Sequence, residues 1–199
     1  MTLEEVLEVM YRAQEEGKMV VRLHTGDPSL YGAIREQMDA LDEKGISYDY
    51  CPGVSSFCGA ASALNLEYTL PDVSQSVIIT RMAGRTPVPE KESIESFAAH
   101  QATMVDFFKH RNAGGTEPPS HCRGIQRRYS CGYCIQSHLG RCKKTFVCTV
   151  GTLAQTAAKN NITKTALMII GDVVSHTNYQ RSKLYDPGFT TEFRKGDQE

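Results

Sequence analysis

The sequence has no strong charge of either sign and no long apolar run. Its 199 residues include 22 Lys or Arg and 23 Asp or Glu, for a formal net charge of −1. This balance gives no indication of a nucleic-acid or membrane-surface partner. No run approaches the roughly 18 apolar residues of a membrane span. Met1 leads directly into a charged amphipathic segment rather than a signal peptide. We therefore expect a cytoplasmic protein that binds neither nucleic acid nor a membrane.

The cysteines do not form the pattern of a secreted disulfide framework. There are seven of them, an odd number, and their spacing is uneven. An apolar content of 40% in a chain of this length permits one or two small globular domains with a real core.

One stretch carries the first signal of a binding site. Met19–Leu23 is a short run that includes the β-branched pair Val20-Val21, and it predicts a buried strand. Gly26-Asp27-Pro28 then predicts a turn. A helix over Ser29–Lys44 follows, with its apolar residues on one stripe. In α/β folds, ligands bind where a strand ends and a helix begins.

The rest of the chain continues the alternation. Further strands are predicted at Ile46–Cys51, Val77–Arg81, Thr103–Phe108, Thr145–Val150 and Thr165–Gly171. Further helices are predicted at Thr2–Glu16, from Ser55 or Ser56 to Leu64, and at Glu90–His100 and Thr152–Asn160. The β-α-β-α order of the first part predicts a parallel sheet.

Two turns in a fixed order resemble a known family. Gly26-Asp27-Pro28 is followed 24 residues later by Pro52-Gly53-Val54-Ser55-Ser56. This pair resembles the tetrapyrrole (corrin and porphyrin) methyltransferases. Three further stretches look like the branch that methylates precorrin-4 or cobalt-precorrin-4 at C11 in cobalamin synthesis: Thr69-Leu70-Pro71, Val73 to Arg81, and Gly84 to Glu90. The resemblance covers Met1 to about Phe108 and Thr145 to Arg194.

The resemblance implies a two-domain α/β tetrapyrrole methylase fold with the cofactor in the inter-domain cleft. It places the first domain over residues 1–72 and the second over residues 73–199. A family member is expected to begin about 50–70 residues earlier, a large share of a domain of ordinary size. The first domain is therefore expected to be incomplete.

The resemblance also implies the chemistry and its residues. The cofactor is S-adenosyl-L-methionine, the substrate is a tetrapyrrole, and the enzyme is a homodimer. The residues expected to bind the cofactor are Thr25, Gly26, Asp27, Leu30, Ser55, Ser56, Phe108, Thr165 and Ala166. Arg81 and Arg85 are expected to bind the substrate carboxylates. Helix capping by the two serines and solvated surface charge on the two arginines are the plainer interpretations.

The composition changes abruptly between Phe107 and Lys144. This segment has eight Lys or Arg, one acid, and three residues of the Val/Ile/Leu/Met set. No helical or strand period is detectable in it. It also contains four of the seven cysteines, in the pattern Cys122-x8-Cys131-x2-Cys134-x7-Cys142, with His121 and His138 nearby.

Two explanations compete for this segment. Cys131-x2-Cys134 is a common zinc half-site, but the second close pair of a zinc site is missing. The preferred explanation is a frameshift over residues 109–143, since one choice of codons read in another frame gives an amphipathic helix followed by a strand like the family's. The second domain would then lack one helix and one central strand. A metal-binding module and an inactive remnant of the enzyme are the alternative functions.

Overall fold

A computed structural model of the protein describes residues 1–81, 87–108, 128–135, 144–162, 166–177 and 179–196. These residues form two compact units, Met1–Ser56 and Phe57–Glu199. Their helices and strands follow the order α1 (Leu3–Glu15), α2 (Arg35–Glu43), α3 (Ser56–Leu64), β1 (Val77–Thr80), α4 (Ile94–Ala98), β2 (Thr103–Phe108), β3 (Ser130–Ile135), β4 (Lys144–Thr149), α5 (Leu153–Lys159) and β5 (Ala166–Ile170). The predicted domain boundary after residue 72 stays a prediction.

Helix α1 of the first unit begins and ends as predicted. The Thr2 hydroxyl oxygen accepts a hydrogen bond from the Glu5 amide at 3.3 Å, and the Glu5 carboxylate accepts one from the Thr2 amide at 2.7 Å. This reciprocal capping box satisfies amides that lack a partner within the helix. Gly17 ends the helix with φ +68°, a conformation that glycine adopts without a steric penalty.

Helix α2 is shorter than the predicted Ser29–Lys44 and begins at Arg35. Tyr31 and Ala33 have φ values of +58° and +48°. These left-handed conformations cannot continue a right-handed helix, so the chain before Arg35 is a loop. At the other end Gly45, with φ +64°, terminates the helix where the sequence predicts it.

The two strands predicted in the first unit are wrong. Met1–Ser56 is described throughout and contains no strand. Met19–Leu23, predicted to be buried, exposes its apolar side chains, with Met19 at 92% and Leu23 at 79%. Ile46–Cys51 is likewise irregular. A strand requires a neighbour that pairs with its backbone amides and carbonyls, and this unit supplies none. The predicted parallel sheet is therefore absent from it.

The second unit is built on a five-stranded mixed sheet. Its strands lie in the order β1-β2-β5-β3-β4. β1 runs parallel to β2, and the other neighbouring pairs are antiparallel. Four of these strands were predicted within one residue at each end. The predicted helix Glu90–His100 is reduced to α4, because Ser93 is extended and its hydroxyl caps the new helix at the Ser96 amide.

Strand β3 lies inside the segment that was predicted to contain no strand. It pairs with β4 on one side and with β5 on the other. Cys131, Tyr133 and Cys134 are each at most 1% exposed. The expectation that the second unit lacks a strand here is therefore wrong. Cysteine and tyrosine bury apolar surface as aliphatic residues do. A strand can therefore be buried even where aliphatic residues are scarce. Residues 109–127 and 136–143 lie outside the described residues, as does any helix expected there.

The sheet buries side chains on both faces. One core cluster includes Met104, Cys131 and Met168, together with Leu153 and Ala157 of α5. The other includes Val105, Cys134, Ile169 and Ala60, with Leu64 of α3 packed against it. Because successive side chains of a strand point to opposite faces, the two buried cysteines of β3 lie on opposite sides of the sheet.

We expect thiol reactivity to report this arrangement. Cys51 and Cys58 are exposed, whereas Cys131 and Cys134 are buried. Cys148 is half-buried, and burial raises the pKa of its thiol. Pulsed alkylation of the native protein, mapped by mass spectrometry, should therefore modify Cys51 and Cys58 first, because the reaction needs access and a thiolate.

The same measurement in denaturant serves as the control, since all these thiols should then react at similar rates. Modification of Cys131 and Cys134 as fast as Cys51 in the native protein would contradict the buried position of β3.

Candidate functional site

Two glycine turns of the first unit lie against each other. They are Gly26-Asp27-Pro28 and Pro52-Gly53, which we call the glycine turns. A β-carbon added to Gly53 would overlap the carbonyl oxygen of Gly26 and lie 3.0 Å from its carbonyl carbon. A β-carbon added to Gly26 would lie 3.6 Å from the Ser55 α-carbon. The backbones are thus so close that position 53 has room only for glycine.

The Asp27 carboxylate joins the two glycine turns. Its Oδ2 accepts a hydrogen bond from the Gly53 amide at 2.9 Å. Its Oδ1 accepts hydrogen bonds from the Ser29 amide at 2.9 Å, from the Ser29 hydroxyl at 2.5 Å and from the Tyr50 hydroxyl. Gly53 and Tyr50 belong to the second turn and the residues just before it, so the carboxylate bridges segments distant in sequence. We call this network the Asp27 bridge.

The Asp27 bridge stabilises the ionised carboxylate. The Ser29 hydroxyl, then the Tyr50 hydroxyl and the two backbone amides, hold the pKa of Asp27 well below its usual range. Because the folded-state pKa is depressed, the stabilisation is fully present above the ordinary carboxyl pKa of about 4. It is lost as the pH falls through the folded-state pKa. The bridge is therefore intact at neutral pH.

The other residues predicted in the first unit surround the glycine turns. Thr25 is exposed beside Gly26, and Leu30 is partly buried, with its amide donating to the Asp27 carbonyl at 3.3 Å. Ser55 is buried at 7% exposure, and Ser56 is the first residue of α3. The structure thus places the Gly26 turn and Ser55 together, although they are far apart in sequence.

The site residues predicted in the second unit are spread over several elements. The strand register sets Phe108, the last residue of β2, beside Ala166, the first of β5. Ala166 is 5% exposed and belongs to a core cluster. Arg81 follows β1, and its guanidinium donates to the Pro87 carbonyl at 3.2 Å. Two predicted residues, Thr165 and Arg85, lie outside the described residues.

Tyr50 is a member of the site that the sequence analysis did not single out. Its hydroxyl donates to Asp27 across 23 positions of sequence. The signal that could have found it is its place just before the Pro52-Gly53 turn, where a long polar side chain can reach a neighbouring turn. Nothing in the residue pattern specifies its partner, because the pairing depends on how the loops pack.

The structure bears on the metal alternative through Cys131 and Cys134. Their side chains lie on opposite faces of the sheet, so they cannot bind one zinc ion as a half-site. Among the described residues, no group of three or more His, Cys, Asp or Glu side chains is arranged to hold a metal ion. The remaining residues of that hypothesis lie outside the described part of the chain: His121, Cys122, His138 and Cys142.

Comparison with known proteins identifies the family of this chain. Residues 1–154 match the family model of the tetrapyrrole (corrin/porphyrin) methylases. A cobalt-precorrin-4 C(11)-methyltransferase of Methanocaldococcus jannaschii is 43% identical over 204 aligned residues. The alignment covers 98% of this chain and 75% of that protein.

Solved structures resemble the protein as well. A cobalt precorrin-4 methyltransferase involved in cobalamin biosynthesis superposes with a TM-score of 0.79 and 37% identity, covering 87% of this chain and 72% of that one. A uroporphyrin-III C-methyltransferase of Thermus thermophilus, solved in complex with S-adenyl homocysteine, has a TM-score of 0.67 and 20% identity, covering 88% of this chain and 75% of that one. The second likeness concerns the fold alone. The family model covers most of the chain, and the protein therefore belongs to the tetrapyrrole (corrin/porphyrin) methylase family.

Proposed function

We propose that this protein transfers a methyl group from S-adenosyl-L-methionine to C11 of precorrin-4 or cobalt-precorrin-4 in cobalamin biosynthesis. The observation that carries the proposal is the 43% identity to a cobalt-precorrin-4 C(11)-methyltransferase across 98% of the chain. The solved cobalt precorrin-4 methyltransferase at 37% identity supports the same substrate class.

The glycine turns fit the demands of such a cofactor. S-adenosyl-L-methionine supplies an electrophilic methyl on a cationic sulfonium, and the protein's task is binding and alignment. Gly26 and Gly53 are exposed and have no side chain that would obstruct a ligand. Their backbones are held in place by the Asp27 bridge. The full set of residues proposed for cofactor binding remains Thr25, Gly26, Asp27, Leu30, Ser55, Ser56, Phe108, Thr165 and Ala166.

The contacts of Asp27 assign it a more specific role within this proposal. Both carboxylate oxygens already accept hydrogen bonds from the protein. The carboxylate therefore serves the cofactor chiefly by fixing the backbone of the two turns. Such preorganisation lowers the cost of binding, because the loops need not be ordered when the ligand arrives.

Arg81 and Arg85 are proposed to bind the substrate. A corrinoid precursor carries many carboxylates, which guanidinium groups bind in a bidentate manner. Arg81 is partly buried, and its donation to the Pro87 carbonyl orients its side chain after β1. The proposal for Arg85 rests on the sequence motif alone.

We also propose that the protein is cytoplasmic, as its composition and N-terminal sequence indicate, and a homodimer, as the family resemblance implies. Within the described ranges, no helix is both long enough and apolar enough to cross a membrane. The division into domains of residues 1–72 and 73–199 remains part of the proposal. So does a frameshift within residues 109–143, with the modification that β3 occupies part of that segment. An inactive remnant of the enzyme is the competing function.

Methyl transfer with a labelled cofactor tests the proposal. The protein should convert precorrin-4 or cobalt-precorrin-4 in the presence of [methyl-13C]S-adenosylmethionine, and the product should show one labelled methyl at C11 by NMR. Label at another carbon would contradict the proposed substrate position. Cofactor binding without transfer would favour the inactive remnant.

Replacing Asp27 should weaken cofactor binding. Asp27→Asn puts an amide N–H2 where one carboxylate oxygen accepts, so at least one donor of the bridge loses its partner. We expect S-adenosylhomocysteine to bind about two- to tenfold more weakly, as for loss of a typical hydrogen bond. Isothermal titration calorimetry measures this directly.

Asp49→Asn is the matched control for that substitution. Asp49 is exposed and undergoes the same change of charge close to the second glycine turn. The affinity of the Asp49→Asn variant for S-adenosylhomocysteine should stay within about twofold of that of the unmodified protein, as is usual for surface substitutions. Equal losses in both variants would show a general charge effect and contradict the role of the bridge.

A further inference from the structure

We infer that Tyr50 is a positioning residue that holds the two glycine turns in the arrangement which receives the cofactor. The inference rests on the proposed function, because only that function supplies a ligand for this arrangement. Tyr50 is not among the residues that the family motifs single out, and the structure alone shows its link to Asp27.

The two links of the Asp27 bridge use different oxygens. The Tyr50 hydroxyl donates to Oδ1, whereas the Gly53 amide donates to Oδ2 at 2.9 Å. The Ser29 amide and hydroxyl also donate to Oδ1 and hold the carboxylate to its own turn, so the contribution specific to Tyr50 is a second link between the two turns. The second turn is therefore tied to the first at two points. Removing the Tyr50 hydroxyl leaves the Gly53 amide as the one link of the bridge between the turns.

The surroundings of Tyr50 argue against a simple packing role. Its side chain is 41% exposed, and it belongs to neither core cluster. Replacing it by phenylalanine keeps the ring and removes only the hydroxyl. The change therefore leaves the buried apolar surface of the protein nearly intact, and its effect should appear in the geometry of the turns rather than in global stability.

Tyr48 offers a matched comparison two residues earlier. It is 38% exposed, and its hydroxyl also donates to a carboxylate, Asp42 Oδ2, at 3.2 Å. That carboxylate is on α2 and outside the glycine turns. Tyr48→Phe thus removes the same chemical group from a similar environment without touching the Asp27 bridge.

Calorimetric titration with S-adenosylhomocysteine tests the inference. Tyr50→Phe should bind about two- to tenfold more weakly than the unmodified protein, the cost of a typical hydrogen bond. Tyr48→Phe should stay within about twofold. In the methyl-transfer assay, Tyr50→Phe should raise KM for S-adenosylmethionine and leave kcat and KM for the tetrapyrrole unchanged. A residue with only a structural role would not separate these parameters.

A double-mutant cycle asks whether Tyr50 acts through Asp27. If it does, Asp27→Ala, which removes both acceptor oxygens, combined with Tyr50→Phe should bind no more weakly than Asp27→Ala alone. Losses that add would show that Tyr50 acts elsewhere and would overturn the inference. Tyr50→Phe with unchanged affinity would also overturn it and leave the proposed function intact.

Failure of the proposed function gives a different result. The unmodified protein would then bind neither S-adenosylmethionine nor S-adenosylhomocysteine. In that case amide hydrogen exchange of the ligand-free protein decides the positioning role. Faster exchange at Gly53 in Tyr50→Phe than in Tyr48→Phe would support it, because the turn would open more often. Equal exchange at Gly53 in both variants would refute it.

Discussion

The four hydrogen bonds to the Asp27 carboxylate are the constraint on which the candidate site depends. The first unit has no sheet to hold its loops, so the Gly26 and Gly53 turns are aligned by this one anion and by their close backbone contact. The glycines leave room for the two backbones to approach, and the carboxylate holds them together by hydrogen bonds. With only the glycines or only the carboxylate, the turns could separate. Ordering them on binding would then reduce the affinity for a ligand.

The second unit shows what residue pattern can and cannot predict. The four strands other than β3 were predicted within one residue at each end, β1 and β5 from nearly continuous aliphatic runs and β2 and β4 from runs that mix aliphatic with aromatic residues. Strand β3 was missed because its sequence, Ser-Cys-Gly-Tyr-Cys-Ile, carries no period of aliphatic residues. Its burial comes from pairing on both edges and from cores on both faces, which are properties of the whole sheet. Gly132 contributes by leaving room for Leu64, a contact that no local pattern specifies.

The first unit shows the opposite error. The run at Met19–Leu23 predicted a buried strand. Such a run gives only a tendency to form a strand, because neighbouring strands must supply the hydrogen bonds. Without them in Met1–Ser56 the run remains irregular and exposed. The site residues stay a prediction, but Gly26, Asp27 and Ser55 belong to turn motifs with a recognisable order, and the structure brings the Gly26 turn and Ser55 together. Tyr50 was missed because its partner is set by loop packing across 23 positions of sequence.

We propose above all that the glycine turns, held by Asp27, receive the cofactor. Titration of 15N-labelled protein with S-adenosylhomocysteine tests it most directly, because amide chemical shifts report which backbone groups meet the ligand. The largest shifts should occur at Gly26, Gly53, Ser55 and Ser56 when the ligand saturates the protein. Saturable binding whose shifts lie elsewhere and leave these four amides unmoved would contradict it.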